Sequence, residues 1–157
     1  MNTYYKNIIF KLLERNYTIS IAESCTGGNI CQEFTKIPGI SKSLICGVIA
    51  YSNIAKINFL NINKSNLKKY GSVSKEIAKE MALNLMNKSN SDYCISTTGI
   101  AGPSGKTKNK PVGLVYIAIA YNKKVYLYKR NFKGSRINIQ KKITKAAFEI
   151  LDKNIKH

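Results

Sequence analysis

The segment Ser24-Cys25-Thr26-Gly27-Gly28 sets a hydroxyl and a thiol among small residues. Thr18 to Ala22, just before it, reads as a short strand, and Ile30, Phe34 and Ile37 suggest a helix starting near Gly28. A strand end leading through small residues into a helix exposes backbone N–H groups, which bind an anion or a developing oxyanion. A threonine-capped helix entry gives the same pattern, so the segment alone is compatible with either. For Ser24 to be a nucleophile it needs a base. The single histidine is His157, the final residue of the sequence, and terminal residues tend to fray. A Ser-His-Asp triad, a Cys-His pair and a histidine metal site are therefore not expected. The eight carboxylates fall mostly in helix-like patterns and read as solvated faces. No metal is expected: Cys25, Cys31, Cys46 and Cys94 include no C-x-x-C pair. Lysine is left as the base, because burial lowers its pKa.

Composition does not say which lysine. Lys56 follows an apolar strand, in Tyr51-Ser-Asn-Ile-Ala-Lys56, and spacing alone makes it a solvated helix lysine. Two S-x-x-K matches, Ser65 to Lys68 and Ser72 to Lys75, carry the spacing of serine–lysine acyl enzymes, but they lie in polar segments of a lysine-rich chain. Gly102-Pro-Ser-Gly-Lys-Thr107 resembles a phosphate loop. Ile100 stands where the Walker pattern needs glycine, and a strand follows where a helix should open. A glycine-rich substrate loop fits better than an NTPase. Cys25 rivals Ser24 as nucleophile, but without an imidazole it reads as a small buried residue. Arg136 suits phosphate or carboxylate recognition, yet it equally reads as one more surface cation.

The elements that must carry these residues follow from periodicity. Tyr5, Ile8, Ile9, Leu12 and Leu13 mark a helix over 3–15. Leu44 to Tyr51 is nearly continuous in apolar residues, as expected of a strand covered on both faces. Segment 52–70 is helical in pieces and stopped by Gly71. Ser74 caps a helix carrying Ile77, Met81 and Leu85. Tyr93 to Thr98 is a strand, 112–121 and 124–132 form a hairpin about Asn122-Lys123, and Ile139, Ile143, Ala147 and Ile150 define the last helix. The alternation predicts one α/β domain over 1–157, a three-layer α/β/α sandwich with a mixed, mostly parallel sheet. Sites in such sheets lie beyond the carboxyl ends of the strands. Ser24, Tyr51 and Gly99 all fall there.

The 157 residues are 44% apolar and carry a formal charge of +18. That charge attracts polyanions without sequence preference. It is scattered along a chain rich in Lys, Asn and Ile, with no reader motif and dispersed tyrosines, so codon bias explains it and no specific nucleic acid is expected. No apolar run approaches the ~18 residues of a membrane span, and Met1 to Lys6 lacks a signal-peptide layout. A cytoplasmic protein with free thiols and no membrane partner is expected.

Four segments together resemble one family. Ala22-Glu-Ser-Cys-Thr-Gly-Gly28, Ala50-Tyr-Ser-Asn-Ile-Ala-Lys56, Tyr70-Gly-Ser-Val-Ser74 and Thr98-Gly-Ile-Ala-Gly-Pro103 with Lys110-Pro-Val-Gly113 resemble, in order, the motifs of the CinA C-terminal family, the nicotinamide-nucleotide amidases. The resemblance implies a three-layer fold and hydrolysis of nicotinamide mononucleotide to nicotinate mononucleotide and ammonia, without cofactor or metal. It implies Ser24 as nucleophile, Lys56 as base and Tyr51 as an assistant to the pair. The oxyanion would be held by amides near Thr26, Gly27 and Gly28 or by Gly99. Thr98, Gly99 and Arg136 would bind the nucleotide substrate, and self-association into a homo-oligomer would follow. The sequence departs from the family at Gly105-Lys106, where two glycines are usual, and at Tyr70 and Ser72, which replace a histidine and an alanine. A nucleotide-binding module without catalysis and a basic nucleic-acid binder are the alternatives.

Overall fold

The computed structural model describes residues 2–156, so the expectation for His157 lies outside the described residues. In chain order the elements are α1 (Thr3–Glu14), β1 (Ile19–Glu23), α2 (Asn29–Thr35), β2 (Leu44–Ile49), α3 (Asn53–Leu60), α4 (Lys64–Tyr70), α5 (Lys75–Ser89), β3 (Tyr93–Gly99), β4 (Leu114–Tyr121), β5 (Lys124–Asn131) and α6 (Arg136–Asn154). The five strands form one sheet in the order β2-β1-β3-β4-β5. β1 pairs parallel with β2 and β3, while β4 is antiparallel to β3 and β5. Four strands thus point one way and β4 the other, the mixed α/β sandwich that the alternation of elements predicts.

The pleat sorts the strands' side chains between two helical layers. Ile19 and Ile21 of β1, Tyr93 and Ile95 of β3, and Val115, Ile117 and Ile119 of β4 pack against α1, α2 and α6. Their alternates Ala22, Cys94, Ala118 and Ala120 face α4 and α5, where Leu67, Ile77, Met81 and Leu85 cover them. Large residues on one side and small ones on the other let α5 sit close against the sheet. Stacked Tyr5 and Phe148, with ring centroids 4.3 Å apart, join α1 to α6.

Local signals set the boundaries. Ser52 and Ser74 accept from the Ala55 and Ile77 amides and cap α3 and α5. Asn61, with φ 52°, ends α3 and divides the segment 52–70 into its two helices. Asn122 and Lys123 both take positive φ, as a tight two-residue hairpin turn requires.

One expectation is overturned. β2 is not covered on both faces: it is the edge of the sheet, and Ile45, Gly47 and Ile49 are exposed on alternate positions. Among the described residues no strand pairs with its outer side; Leu44, Cys46 and Val48 pack against the core, while Ile45 and Ile49 face outward.

Candidate active site

β1 and β2 run parallel with Glu23 opposite Ile49, so the residues just past their ends emerge side by side. Ser24 follows Glu23 directly. After β2 the chain turns at Ala50, is capped by Ser52 and enters α3, whose first turn carries Lys56. Lys56 is only 2% exposed, which excludes the solvated reading that spacing favours. Its Nζ donates to the Ala50 carbonyl at 2.7 Å and to Ser24 Oγ at 2.9 Å. Burial pulls its pKa down from 10.5 to about 8, against a weaker upward influence of Cys25. At pH 7 roughly a tenth of the amine is then neutral. Arg136 is not a cause of this shift.

The neighbouring thiol is of the opposite kind. Burial pushes Cys25 up to about 12, so it stays protonated at neutral pH and is a poor nucleophile. Of the two adjacent groups, the Ser24 hydroxyl is the one that accepts a hydrogen bond from the buried amine.

The Ser24 turn is held by a residue that composition alone assigns to a solvated face. Glu23 is fully buried, and its carboxylate accepts from the amides of Gly28 at 2.9 Å, Ile30 at 3.3 Å and Cys31 at 2.8 Å. It satisfies the N-terminal amides of α2, whose own cap position, Gly28, has no side chain to do so. The consequence bears on the expected oxyanion donors. The Gly28 amide is committed to Glu23, and the Gly27 amide donates to the Ser24 carbonyl at 3.2 Å. Thr26 is buried with its hydroxyl 2.8 Å from that of Thr97. Thr26, Gly27 and Gly28 shape the turn and do not line the cavity.

Gly99 is placed differently. The Ile100 amide donates to Leu114 of β4, and successive amides of an extended strand point to opposite sides. The Gly99 amide therefore points away from β4, toward the β1 side where Ser24 lies. A Cβ at Gly99 would come within 2.7 Å of the Leu114 carbonyl oxygen and 2.9 Å of Val115 Cβ, so only glycine fits this position.

These groups open onto one cavity of about 270 Å³, lined by Ser24, Tyr51, Lys56, Thr98, Gly99 and Arg136 among others. Ser72, Val73 and the loop from Ile100 to Gly105 complete its wall. Thr98 donates to the Ser72 carbonyl at 2.7 Å, and Lys110 to that of Tyr70 at 2.8 Å, tying the glycine loop to the α4–α5 link. Tyr51 does not bond to the dyad. Its hydroxyl receives a hydrogen bond from Arg136, which also donates to the Gly102 carbonyl at 2.7 Å. One turn further along α6, Gln140 donates to the Cys25 carbonyl at 3.0 Å. Among the described residues no group of three or more His, Cys, Asp or Glu is disposed to hold a metal ion, and no helix is long and apolar enough to cross a membrane.

The model of the CinA C-terminal domain family matches residues 1–155. The chain belongs to that family. A CinA-like protein of Endomicrobium trichonymphae is 48% identical over 92% of this chain, which covers 34% of that protein. A Thermoanaerobacter pseudethanolicus relative is 46% identical over 93% of the chain, which covers 36% of it. The chain thus spans about a third of the length of the curated relatives it matches. Among solved structures, the competence/damage inducible protein CihA from Agrobacterium tumefaciens superposes with a TM-score of 0.90 at 33% identity, covering 95% of this chain and 92% of that one. The competence damage-inducible protein A from Klebsiella pneumoniae gives 0.93 at 25% identity, with 97% and 94% covered. In this CinA C-terminal domain the nine residues singled out from sequence divide into six that line the cavity and three that form the turn beneath Ser24. Glu23 and Gln140 escaped the reading. Glu23 had a usable signal, a carboxylate closing an apolar strand just before a helix start; Gln140 had none.

Proposed function

We propose that this CinA-family domain is an amidohydrolase that converts nicotinamide mononucleotide to nicotinate mononucleotide and ammonia through a serine–lysine mechanism. The observation that carries the reading is the buried Lys56 amine, of lowered pKa, 2.9 Å from Ser24 Oγ at the floor of an open cavity. With one N–H anchored on the Ala50 carbonyl, the neutral amine can turn its lone pair to the Ser24 hydroxyl and take its proton as Oγ attacks the carboxamide carbon. The Gly99 amide is the oxyanion donor that the strand geometry supports. The Lys56 ammonium then gives its proton to the departing nitrogen, ammonia leaves, and an acyl ester remains on Ser24. Lys56, neutral again, takes a proton from water as it attacks that ester and returns it to Ser24 Oγ as the acyl C–O bond breaks, which releases the nicotinate nucleotide and restores the hydroxyl. Arg136 and the glycine loop supply the cation and the amides for the nucleotide's phosphate.

The test is ammonia release from nicotinamide mononucleotide by the folded wild-type protein without added metal, with the pyridine product separated by chromatography. Equimolar ammonia and nicotinate mononucleotide are expected. A folded protein that binds the nucleotide without releasing ammonia would instead be a binding module. A folded protein that ignores the nucleotide and binds DNA with a steep salt dependence would fit the basic-surface alternative.

A further inference from the structure

With Ser24 as the nucleophile of the proposed reaction, on which this rests, we infer that Gln140 of α6 is a positioning residue: its hydrogen bond to the Cys25 carbonyl holds the Ser24 hydroxyl in line for attack and so raises kcat rather than affinity.

The turn that carries Ser24 is short, and its carbonyls are held in two different ways. The Ser24 carbonyl accepts from the Gly27 amide at 3.2 Å, and the Thr26 carbonyl from the Asn29 amide at 3.2 Å. The carbonyl between them, on Cys25, is reached from outside the turn, by Gln140 Nε2 at 3.0 Å and from 115 residues away in sequence. Cys25 lies beyond the end of β1 and before the start of α2, so neither a strand ladder nor a helix fixes that peptide. A tilt of the Cys25–Thr26 peptide passes directly to the Ser24 backbone and moves Oγ. Other contacts hold the turn elsewhere. Glu23 gathers the amides on its α2 side, and the Thr26 hydroxyl lies against that of Thr97 on β3. Gln140 supplies the hold from the α6 layer.

Helical geometry sets Gln140 there. Ile139 and Ile143 are fully buried, and Gln140 flanks them, half-buried, at the edge of that face. Arg136, four residues earlier, lies on the same side of the helix and donates to the Gly102 carbonyl and the Tyr51 hydroxyl. The start of α6 thus ties the nucleophile turn to the wall of the cavity, to which Gly102 and Tyr51 belong. Gln140 itself does not line the cavity. Its chemistry suits the task. The sequence holds 26 lysines and arginines but two glutamines, Gln32 and Gln140, so a neutral donor is not this chain's default. An amide N–H fixes a carbonyl without adding a charge next to Ser24.

The test compares wild type with Gln140→Met, which keeps the side chain's length and removes its donor. Gln140→Glu, of the same shape, repeats the loss through a carboxylate that cannot donate, so slowing in both separates the lost bond from a change in packing. Lys141→Met, on the next residue, is the control expected to match wild type. The first readout is the rate at which Ser24 Oγ displaces fluoride from a fluorophosphonate, followed by intact mass and checked against Ser24→Ala. It reports the nucleophile without the nucleotide. The second is steady-state ammonia release from nicotinamide mononucleotide. In Gln140→Met, labelling and kcat are both expected to fall by about 10- to 100-fold, with KM within about twofold of wild type. Urea unfolding checks that the variants are folded. Labelling and kcat equal to wild type overturn the inference. So does a raised KM with kcat unchanged, which would place Gln140 on the substrate. A wild type labelled at Ser24 that releases no ammonia ends the amidase reading, and the labelling rates alone then decide the role of Gln140. A wild type not labelled at Ser24 removes the nucleophile and overturns both.

Discussion

Lys56→Met is expected to lower amidase turnover by about a thousandfold or more while making the folded protein more stable. The loss of rate follows from removing the amine that hydrogen-bonds to Ser24 Oγ. Ser24→Ala should lose as much, and the double variant little further, because the two act as one unit. The gain in stability follows from the same burial that tunes the base. A lysine of pKa about 8 in the folded state and 10.5 ordinarily costs about 3 kcal/mol wherever it is protonated in both states, that is, below pH 8. Methionine is close to it in length and needs no solvation. Its cost is the hydrogen bonding lost at the Ala50 carbonyl and Ser24, about 1–2 kcal/mol. A net gain of about 1–2 kcal/mol at pH 7 remains, measurable by urea unfolding. The sign has a second consequence. The unfolded chain binds more protons than the folded one between the two pKa values, so wild-type stability rises as pH goes from about 8 to 10.5, and the variant lacks that rise. Wild-type kcat/KM should climb with pH and level off above about 8, as the neutral amine becomes the main form. Unchanged turnover in Lys56→Met, or a wild-type rate flat across pH 6–9, would remove Lys56 from the mechanism.

Glu23→Gln is expected to cost about 2–4 kcal/mol of stability and most of the activity, although Glu23 does not line the cavity. Its carboxylate accepts three backbone N–H bonds while fully buried. Glutamine keeps one acceptor oxygen and turns an NH2 group toward amides that also donate, so at least one buried donor loses its partner. The freed Gly28 amide and the loosened start of α2 would let the Ser24 turn relax. Guanidine unfolding and steady-state kinetics report the two effects separately: kcat should fall more than KM rises, because positioning of the nucleophile is lost before substrate contacts are. A variant as stable and active as wild type would mean that the turn holds its shape without the carboxylate.

How far the molecule could be read from its residues depended on whether the determining contact was local. Helical and alternating periodicities gave the order of elements, because each is set by its own side-chain pattern. Asn122-Lys123 marked the hairpin and Ser74 the start of α5, since turns and caps are decided within a few residues. The spatial position of β2 was not legible. A continuous apolar run fits an inner strand and an unguarded edge equally well, and strand order is fixed by crossovers far away in sequence. Lys56 shows the same limit more sharply. Its spacing on α3 looks solvated, and only the parallel pairing of β1 with β2 buries it against Ser24, 32 residues earlier. The resemblance of its segment to the family motif pointed to it where physical pattern alone could not. Tyr51 entered only through the resemblance, as an assistant to the dyad; its hydroxyl accepts a hydrogen bond from Arg136, a contact with a residue 85 positions away that no local pattern shows.

The buried thiol beside Ser24 gives the site a chemical durability that its sequence neighbours would not suggest. Hydrolases that work through a thiolate are silenced by alkylating agents and by peroxide, because the ionised sulfur that attacks the substrate also attacks the poison. Here Cys25, beside the proposed nucleophile Ser24, is 4% exposed and its thiol is held in the protonated form. Brief treatment with iodoacetamide or dilute peroxide should therefore leave the rate intact, so that this chemistry keeps running under oxidising conditions that stop a cysteine-based counterpart.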